Sequence, residues 1–293
     1  MRLTIPEEEL MTSGHKGCQG CAATLAMRYA LKALGDETIV VIPACCWTVL
    51  EGEFPYTCMR VPLLHTAFET AASAAAGVRA ALKVKGRDDV NVMAWAGDGG
   101  TFDIGIQALS GAVERNDDFF YVCYDNEGYM NTGIQRSSST PFGAWTTTTP
   151  IESYESGHKK NIMEIMVAHD IPYAATACVA YPEDLVKKMQ KAKNIRGSKF
   201  IHILAPCSPG WRFPTSQTIN IARLAVETCV FPLYEVENGK YTISRKPKKR
   251  FVKEYFEVQG RFKHLPDEII EQIQTRTDKA WEKLLKKEED TKG

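Results

Sequence analysis

The stretch from Gly97 to Gly133 constrains this chain more than any other. An apolar run, Val90 to Ala96, leads into Gly97-Asp98-Gly99-Gly100. A helical pattern follows from about Asp103 to Glu114, and a second apolar run, Phe119 to Tyr124, leads into Asp125-Asn126. Strand, helix and strand in this order predict a parallel unit, whose ligands gather at the carboxyl ends of its strands. Those ends carry a carboxylate (Asp98), an amide oxygen (Asn126) and several glycines. Magnesium takes oxygen ligands, commonly one or two from the protein plus phosphate oxygens, and glycine lets backbone N–H groups approach phosphate closely. The pattern therefore predicts a metal-diphosphate site. A glycine-rich turn whose Asp caps the next helix produces GDG as well; the Asn at the second strand end, with Asn131-Thr132-Gly133 behind it, favours the site.

Charge and length narrow the partners. Lys+Arg and Asp+Glu both number 36, so the net charge is zero, and no basic stripe marks a nucleic-acid or membrane surface. No apolar run has bilayer length, and MRLTIPEEEL lacks the pattern of a secretion signal. The expectation is a cytoplasmic protein whose partners are proteins and small molecules. With 293 residues there is length for one large α/β domain with a tail. The division predicted is a ligand-binding domain over 1–230 and a C-terminal hairpin and helical extension over 231–293 that contacts other subunits.

Nine cysteines in a reducing compartment read as metal ligands or buried thiols. Cys18 and Cys21 stand as C-x-x-C between glycines, directly before a helix predicted over Ala22 to Ala33. Two sulfurs so spaced reach one metal centre, and the spacing by itself suits a zinc half-site, a redox dithiol or an iron-sulfur half-site. The strand that precedes a thioredoxin-like dithiol is missing. Cys45 and Cys46 follow a strand over Thr38 to Ile42, and only one of the pair is needed as a ligand. Cys207 lies in the irregular Ala205 to Gly210 after a strand over Phe200 to Leu204. Four thiolates from these three places suit a [4Fe-4S] cluster; zinc fits geometrically too, though it has no evident task beside the predicted diphosphate site. Cys45, Cys58, Cys123, Cys178 and Cys229 lie in or beside apolar runs and read as small buried hydrophobes.

The rest of the chain alternates strand and helix, which predicts a mostly parallel sheet with helices on both faces. Glu51 to Leu64 reads as irregular. An alanine-rich helix over Phe68 to Lys83 is small-sided enough to pack closely on the sheet or on another subunit, and His65 before it either faces the strand-end site or merely packs. Ile134 to Pro150 is polar but holds Arg136, Phe142 and Trp145, so an ordered loop covering the site or meeting a partner is expected. Further helices are predicted near Asn161 to His169, Pro182 to Ala192, Thr218 to Cys229 and Pro266 to Lys287, with a strand at Tyr173 to Cys178. A hairpin joins Pro232–Glu237 to Lys240–Ile243 through Asn238-Gly239.

These motifs together resemble the thiamine-diphosphate-binding β subunit of the 2-oxoacid:ferredoxin oxidoreductases, most closely the pyruvate branch. The similarity rests on SGHKGCQGC, Cys46, GDGGTFDIG, DNEGYMNTGIQRSS with GAWTTTTP, APCSPGWRFP, and the tail from FPLYEVENGKY through QGRFKHL. It implies the thiamine-diphosphate-binding fold and, as cofactors, thiamine diphosphate, Mg2+ and a [4Fe-4S] cluster. Carried over by position, the cluster ligands are Cys18, Cys21, Cys46 and Cys207. Magnesium is held by Asp98, Asn126 and the Gly128 carbonyl; Gly97, Gly99, Gly100 and Thr132 join them in binding the cofactor, and Asn131 points at the thiazolium and substrate as the catalytic residue. The activity implied is reversible oxidative decarboxylation of pyruvate to acetyl-CoA and CO2, with electrons passing through the cluster to ferredoxin. Partner subunits of α, γ and δ type would supply the carboxylate that activates the aminopyrimidine and a further ferredoxin-like cysteine set, so the isolated chain is expected to be inactive. Alternatives are the same chemistry on 2-oxoisovalerate or oxalate, a non-redox thiamine enzyme, and a zinc-stapled interaction subunit.

Overall fold

The computed structural model describes residues 4–53 and 55–292. Its strands are β1 (Thr38–Pro43), β2 (Leu63–Thr66), β3 (Asn91–Gly97), β4 (Phe120–Asp125), β5 (Tyr173–Cys178), β6 (Lys199–Leu204), β7 (Tyr234–Glu237) and β8 (Lys240–Ile243). The helices are α1 (Ala22–Leu34), α2 (Trp47–Leu50), α3 (Ala71–Val84), α4 (Ile106–Glu114), α5 (Ile162–Val167), α6 (Pro182–Lys193), α7 (Ser208–Trp211), α8 (Thr218–Glu227), α9 (Val252–Glu257) and α10 (Asp267–Asp290).

The strands form one eight-stranded sheet in the order β2-β1-β3-β4-β6-β5-β7-β8. The first six in that order run parallel, and β7 and β8 are antiparallel additions. Strands β4, β5 and β6 are buried at every residue, as parallel strands covered on both faces must be. On one face Trp95, Val122 and Ile203 pack with α1, α6 and α8. On the other, Ala94, Ala96 and Phe200 pack with α3, α4 and α5. Ala71, Ala72 and Ala75 of α3 are buried on this second face, so the small-sided helix packs closely on the sheet.

The order of strands decides where the chemistry sits. β1, β3, β4 and β6 are consecutive parallel neighbours, and their carboxyl ends lead to Cys46, Asp98, Asn126 and Cys207 respectively. Register holds the two central ends level: Gly97 pairs with Tyr124, so Asp98 and Asp125 leave the sheet side by side.

Two local features differ from the sequence expectations. Leu63–Thr66, within and beyond the stretch read as irregular, is an edge strand paired with β1; it is short and half-exposed, and so carries little apolar pattern. The helix expected from Asp103 opens instead with a π-helical turn over Gly99–Asp103, and α4 starts at Ile106. Gly105 permits that junction: a Cβ there would lie 2.0 Å from the Gly100 carbonyl oxygen, a backbone atom with no room to move. Gly105→Ala is therefore expected to lower stability by about 3 kcal/mol, read as a fall in the thermal unfolding midpoint. The hairpin matches its prediction, with positive φ at both Asn238 (48°) and Gly239 (79°), as a two-residue type I′ turn requires. No helix among the described residues is long and apolar enough to cross a membrane.

Candidate functional site

At the ends of β3 and β4 the side-chain amide of Asn126 places one terminal atom 2.9 Å from both Asp98 Oδ1 and the Gly128 carbonyl oxygen. The amide nitrogen in that position donates to both oxygens; with the amide turned over, its oxygen would join theirs as a third possible cation ligand. Neighbouring corners of a magnesium octahedron, at about 2.05 Å from the metal, are about 2.9 Å apart. The two spacings from Asn126 match those between neighbouring ligands of a magnesium ion. A cleft of about 250 Å3 opens beside Asp98, Asn126 and Gly128, lined among others by Cys46, Phe68, Gly97, Gly99, Asn131 and Thr132. Gly100 lies just behind it, where a Cβ would come 3.3 Å from the Phe68 ring. The glycines keep this cleft open: a Cβ on Gly99 would come within 2.3 Å of the Tyr129 ring, whose hydroxyl is anchored by donating to Asp103 Oδ2 at 2.8 Å. Thr132 donates to Gln135 Oε1 at 2.6 Å, while Asn131 is exposed on the cleft wall.

Asp98 is fully buried and receives hydrogen bonds from Ser137 Oγ (2.5 Å) and the Asn126 N–H (3.3 Å). Burial, and then the neighbouring Asp125 carboxylate, push its carboxyl well above the usual range. Burial also opposes ionisation of Asp125, but the Lys159 ammonium at 2.6 Å and the His202 imidazole at 2.7 Å outweigh it and hold Asp125 below the ordinary carboxylate range. Lys159 also meets Glu127 at 2.9 Å, and Glu127 meets Arg261 at 2.6 Å. Arg261 lies over the Trp211 ring, whose indole N–H donates to the Asn126 carbonyl at 2.7 Å. A buried ladder of alternating charge thus braces the Asp125–Glu127 turn from below.

Sequence reasoning missed this ladder: Lys159 belongs to no motif, and Arg261, though within QGRFKHL, had no role assigned to it. It also missed Ser137, although the Ser-rich run after Asn131 was visible. Arg261→Met keeps most of the volume but leaves Glu127 short of a partner in the interior. The expected loss is about 3–5 kcal/mol of stability, measurable by denaturant unfolding.

The cysteines meet on the β1 side of the cleft. Burial, then the nearby Cys45, Cys207 and Cys21 thiols, raise the Cys46 thiol. The Cys207 thiol is pushed up to about 12, first by burial and then, against a hydrogen bond from the Gly210 backbone, by Cys21 and Cys18. Cys207 and Cys21 thus lie within electrostatic reach of Cys46, and Cys18 within reach of Cys21 and Cys207. Their loops are tied together: Ser208 Oγ donates to the Gln19 carbonyl at 3.1 Å, and Thr218 Oγ1 to the Gly20 carbonyl at 2.7 Å. Cys45 differs from its neighbour in that its thiol is hydrogen-bonded with the Tyr124 side chain. All nine cysteines are free thiols, and among the described residues no three His, Cys, Asp or Glu side chains are gathered as around a single metal ion. Met130 joins the two halves of the site. Its thioether sulfur occupies the space a Cβ on Gly210 would need, 2.2 Å away, and Cys207 Sγ is 3.3 Å from the same point. Its methyl lies 3.0 Å from where a Gly128 Cβ would be.

His65 pairs with buried Glu51 at 2.8 Å and is not among the residues lining the cleft. The loop from Ile134 to Pro150 is ordered by its own contacts: the Trp145 N–H donates to the Arg261 carbonyl, Arg212 stacks on the Trp145 ring, and Ser139 Oγ donates to Asp125.

Residues 45–203 match the thiamine pyrophosphate enzyme C-terminal TPP-binding domain family. The ketoisovalerate oxidoreductase subunit VorB of Pyrococcus abyssi is 55% identical, over 97% of this chain and 95% of its own length. The pyruvate synthase subunits PorB of Methanothermobacter thermautotrophicus and Methanocaldococcus jannaschii are 51% and 52% identical, over 96% and 94% of this chain and 99% and 96% of theirs. Among solved structures, a 2-oxoglutarate:ferredoxin oxidoreductase from Magnetococcus marinus, with 2-oxoglutarate, coenzyme A and succinyl-CoA bound, shares the fold. It superposes with a TM-score of 0.59 at 20% identity, covering 75% of this chain and 82% of that one.

Proposed function

Since this chain belongs to the thiamine pyrophosphate enzymes, and among them to the family of the VorB and PorB subunits of 2-oxoacid:ferredoxin oxidoreductases, we propose that it is the thiamine-binding β subunit of a CoA-acylating enzyme that oxidatively decarboxylates pyruvate. The observation that carries this reading is the convergence of the Asp98 carboxylate, the Asn126 side-chain amide and the Gly128 carbonyl at the ends of β3 and β4, beside a cleft that also admits Cys46. Thiamine diphosphate, when bound, supplies the nucleophilic carbon for the 2-oxoacid carbonyl and an electron sink for loss of CO2.

This chain's residues do the holding and orienting. Asp98, Asn126 and the Gly128 carbonyl hold Mg2+, which ties down the diphosphate. The backbone around Gly97, Gly99 and Gly100 comes close to the phosphates because it carries no side chains, and Thr132 closes that end of the cleft. Asn131, exposed on the wall, is the polar side chain placed to orient the substrate. Phe68 and Met130 keep water from the inner wall. Cys18, Cys21, Cys46 and Cys207 would hold a [4Fe-4S] cluster, which would supply one-electron transfer toward ferredoxin. Partner subunits of α, γ and δ type complete the enzyme in the cytoplasm, where reducing conditions keep the nine cysteines as thiols, and the extension over 231–293 contacts them.

A second reading, 2-oxoisovalerate as substrate, is favoured by the VorB relatives at 54–55% identity, against 50–52% for the methanogen PorB relatives. The test is CoA-dependent ferredoxin reduction by the assembled complex with each acid. A tenfold higher kcat/KM with pyruvate supports the first reading, and the reverse supports the second. Turnover by the isolated chain, or no thiamine dependence, overturns both.

A further inference from the structure

A trough of about 860 Å3, more than three times the volume of the cofactor cleft, separates α10 from the body of the chain. α10 is 24 residues long, yet only Leu284 and Glu288 are buried; Ile269, Ile270, Ile273, Trp281 and Leu285 are partly buried against the body, and the trough runs between the helix and the segments around Met163 and Phe231. Its lining mixes polar side chains with apolar ones, among them Phe142 and Met163 on the body and Ile273 and Trp281 on α10.

The rim is cationic. Arg276, Lys279 and Lys283 follow one another at helical spacing, so they share a side of α10, and all three are exposed and line the trough. None of them has a hydrogen bond or ion pair with another described residue. The two acidic residues that line the trough are already engaged: Glu127 with Lys159 and Arg261, and Glu164 with Lys287. Elsewhere on α10, Asp278 pairs with Lys249. α10 as a whole carries more Asp and Glu than Lys and Arg, but the residues that line the trough include six Lys or Arg against two Glu, so the surplus is local to the trough. A partly apolar trough with an uncompensated cationic rim is complementary to a segment with one apolar and one acidic face. From Gln272 to Lys287 the trough follows the helix for about four turns, long enough to receive a short helix.

We propose that this trough is the docking site for an acidic amphipathic segment of a companion subunit. The proposal rests on the reading that the chain works within a multi-subunit oxidoreductase, and it names the surface and the chemistry of one such contact.

The test uses the complex co-expressed with its companion subunits. A benzophenone amino acid placed at exposed Ala280, which lines the trough, is photolysed and the cross-linked peptide is sequenced. The expected product joins Ala280 to a companion-subunit segment rich in Asp and Glu. A cross-link to a second copy of this chain, to a segment without acidic residues, or to nothing overturns the proposal. In parallel, the Arg276→Glu, Lys279→Glu, Lys283→Glu triple variant should bind the companion subunits at least tenfold more weakly. Its melting temperature and thiamine diphosphate binding as an isolated chain should match wild type, since none of the three side chains supports the fold or the cleft. Assembly at wild-type strength would sink the proposal and leave the thiamine reading standing. Loss of thiamine binding by the wild-type chain would sink that reading and leave the docking result interpretable.

Discussion

Asp98→Asn is expected to give a folded chain that no longer binds thiamine diphosphate with magnesium. Asn keeps the shape of Asp98 and can still accept the hydrogen bond from Ser137 Oγ, but it removes the negative charge that a magnesium ion held by Asp98, Asn126 and the Gly128 carbonyl would need. At ligand concentrations one hundred times the dissociation constant, the wild-type chain gains about 2.7 kcal/mol of stability, whereas the variant gains none. Thermal melts with and without magnesium and thiamine diphosphate read this directly.

The pH dependence separates lost binding from lost folding. In the ligand-free chain, burial and Asp125 raise the folded-state Asp98 carboxyl above its unfolded value. Below the unfolded pKa both states are protonated and Asp98 contributes nothing to the pH dependence. As pH rises beyond it, the unfolded chain ionises freely while the folded chain resists, so stability falls until the raised folded pKa is reached. Asn has no proton to lose and removes that slope. The ligand-free variant should therefore be no less stable than wild type near neutrality and should vary less with pH. A variant that is unfolded at neutral pH, or that still gains stability from magnesium and thiamine diphosphate, would contradict the assignment.

What could be read from the sequence was what recurs at fixed spacing. The strand ends at Asp98 and Asn126 announce themselves because glycines and apolar runs flank them, and β5 and the hairpin follow from alternation and a turn dipeptide. The ladder beneath the site was not readable, because its members are far apart in the chain: Arg261 reaches Glu127 across 134 positions, and Lys159 reaches it across 32. Only the folded sheet makes them neighbours, and single charged residues in polar segments give no sign of being buried. β2 escaped for the opposite reason, as a half-exposed edge strand needs little apolar pattern. Adjacent cysteines posed a third kind of problem. Spacing cannot distinguish Cys45 from Cys46; in the fold both line the cleft, with Tyr124 beside the Cys45 thiol and Cys21 and Cys207 near Cys46, and replacing each in turn decides which of them is the ligand.

Cys46→Ser is accordingly expected to abolish iron binding, while Cys45→Ser retains it. In a [4Fe-4S] centre each thiolate holds one iron, and a serine hydroxyl is a much poorer ligand for it. At position 45 the same exchange substitutes one hydroxyl for one thiol beside Tyr124, and a hydroxyl can make that hydrogen bond at least as well. Anaerobically purified wild-type and Cys45→Ser chains should each carry about four irons with matching sulfide and the broad visible absorption of a cluster, and the Cys46→Ser chain should carry almost none. Because Asp98 is untouched in all three, each should still gain stability from magnesium and thiamine diphosphate, which shows that the protein is folded where iron is missing. Iron retained in Cys46→Ser and lost in Cys45→Ser would reverse the roles of the pair. Zinc in place of iron in the wild type would remove the electron path altogether and leave a thiamine enzyme without redox chemistry.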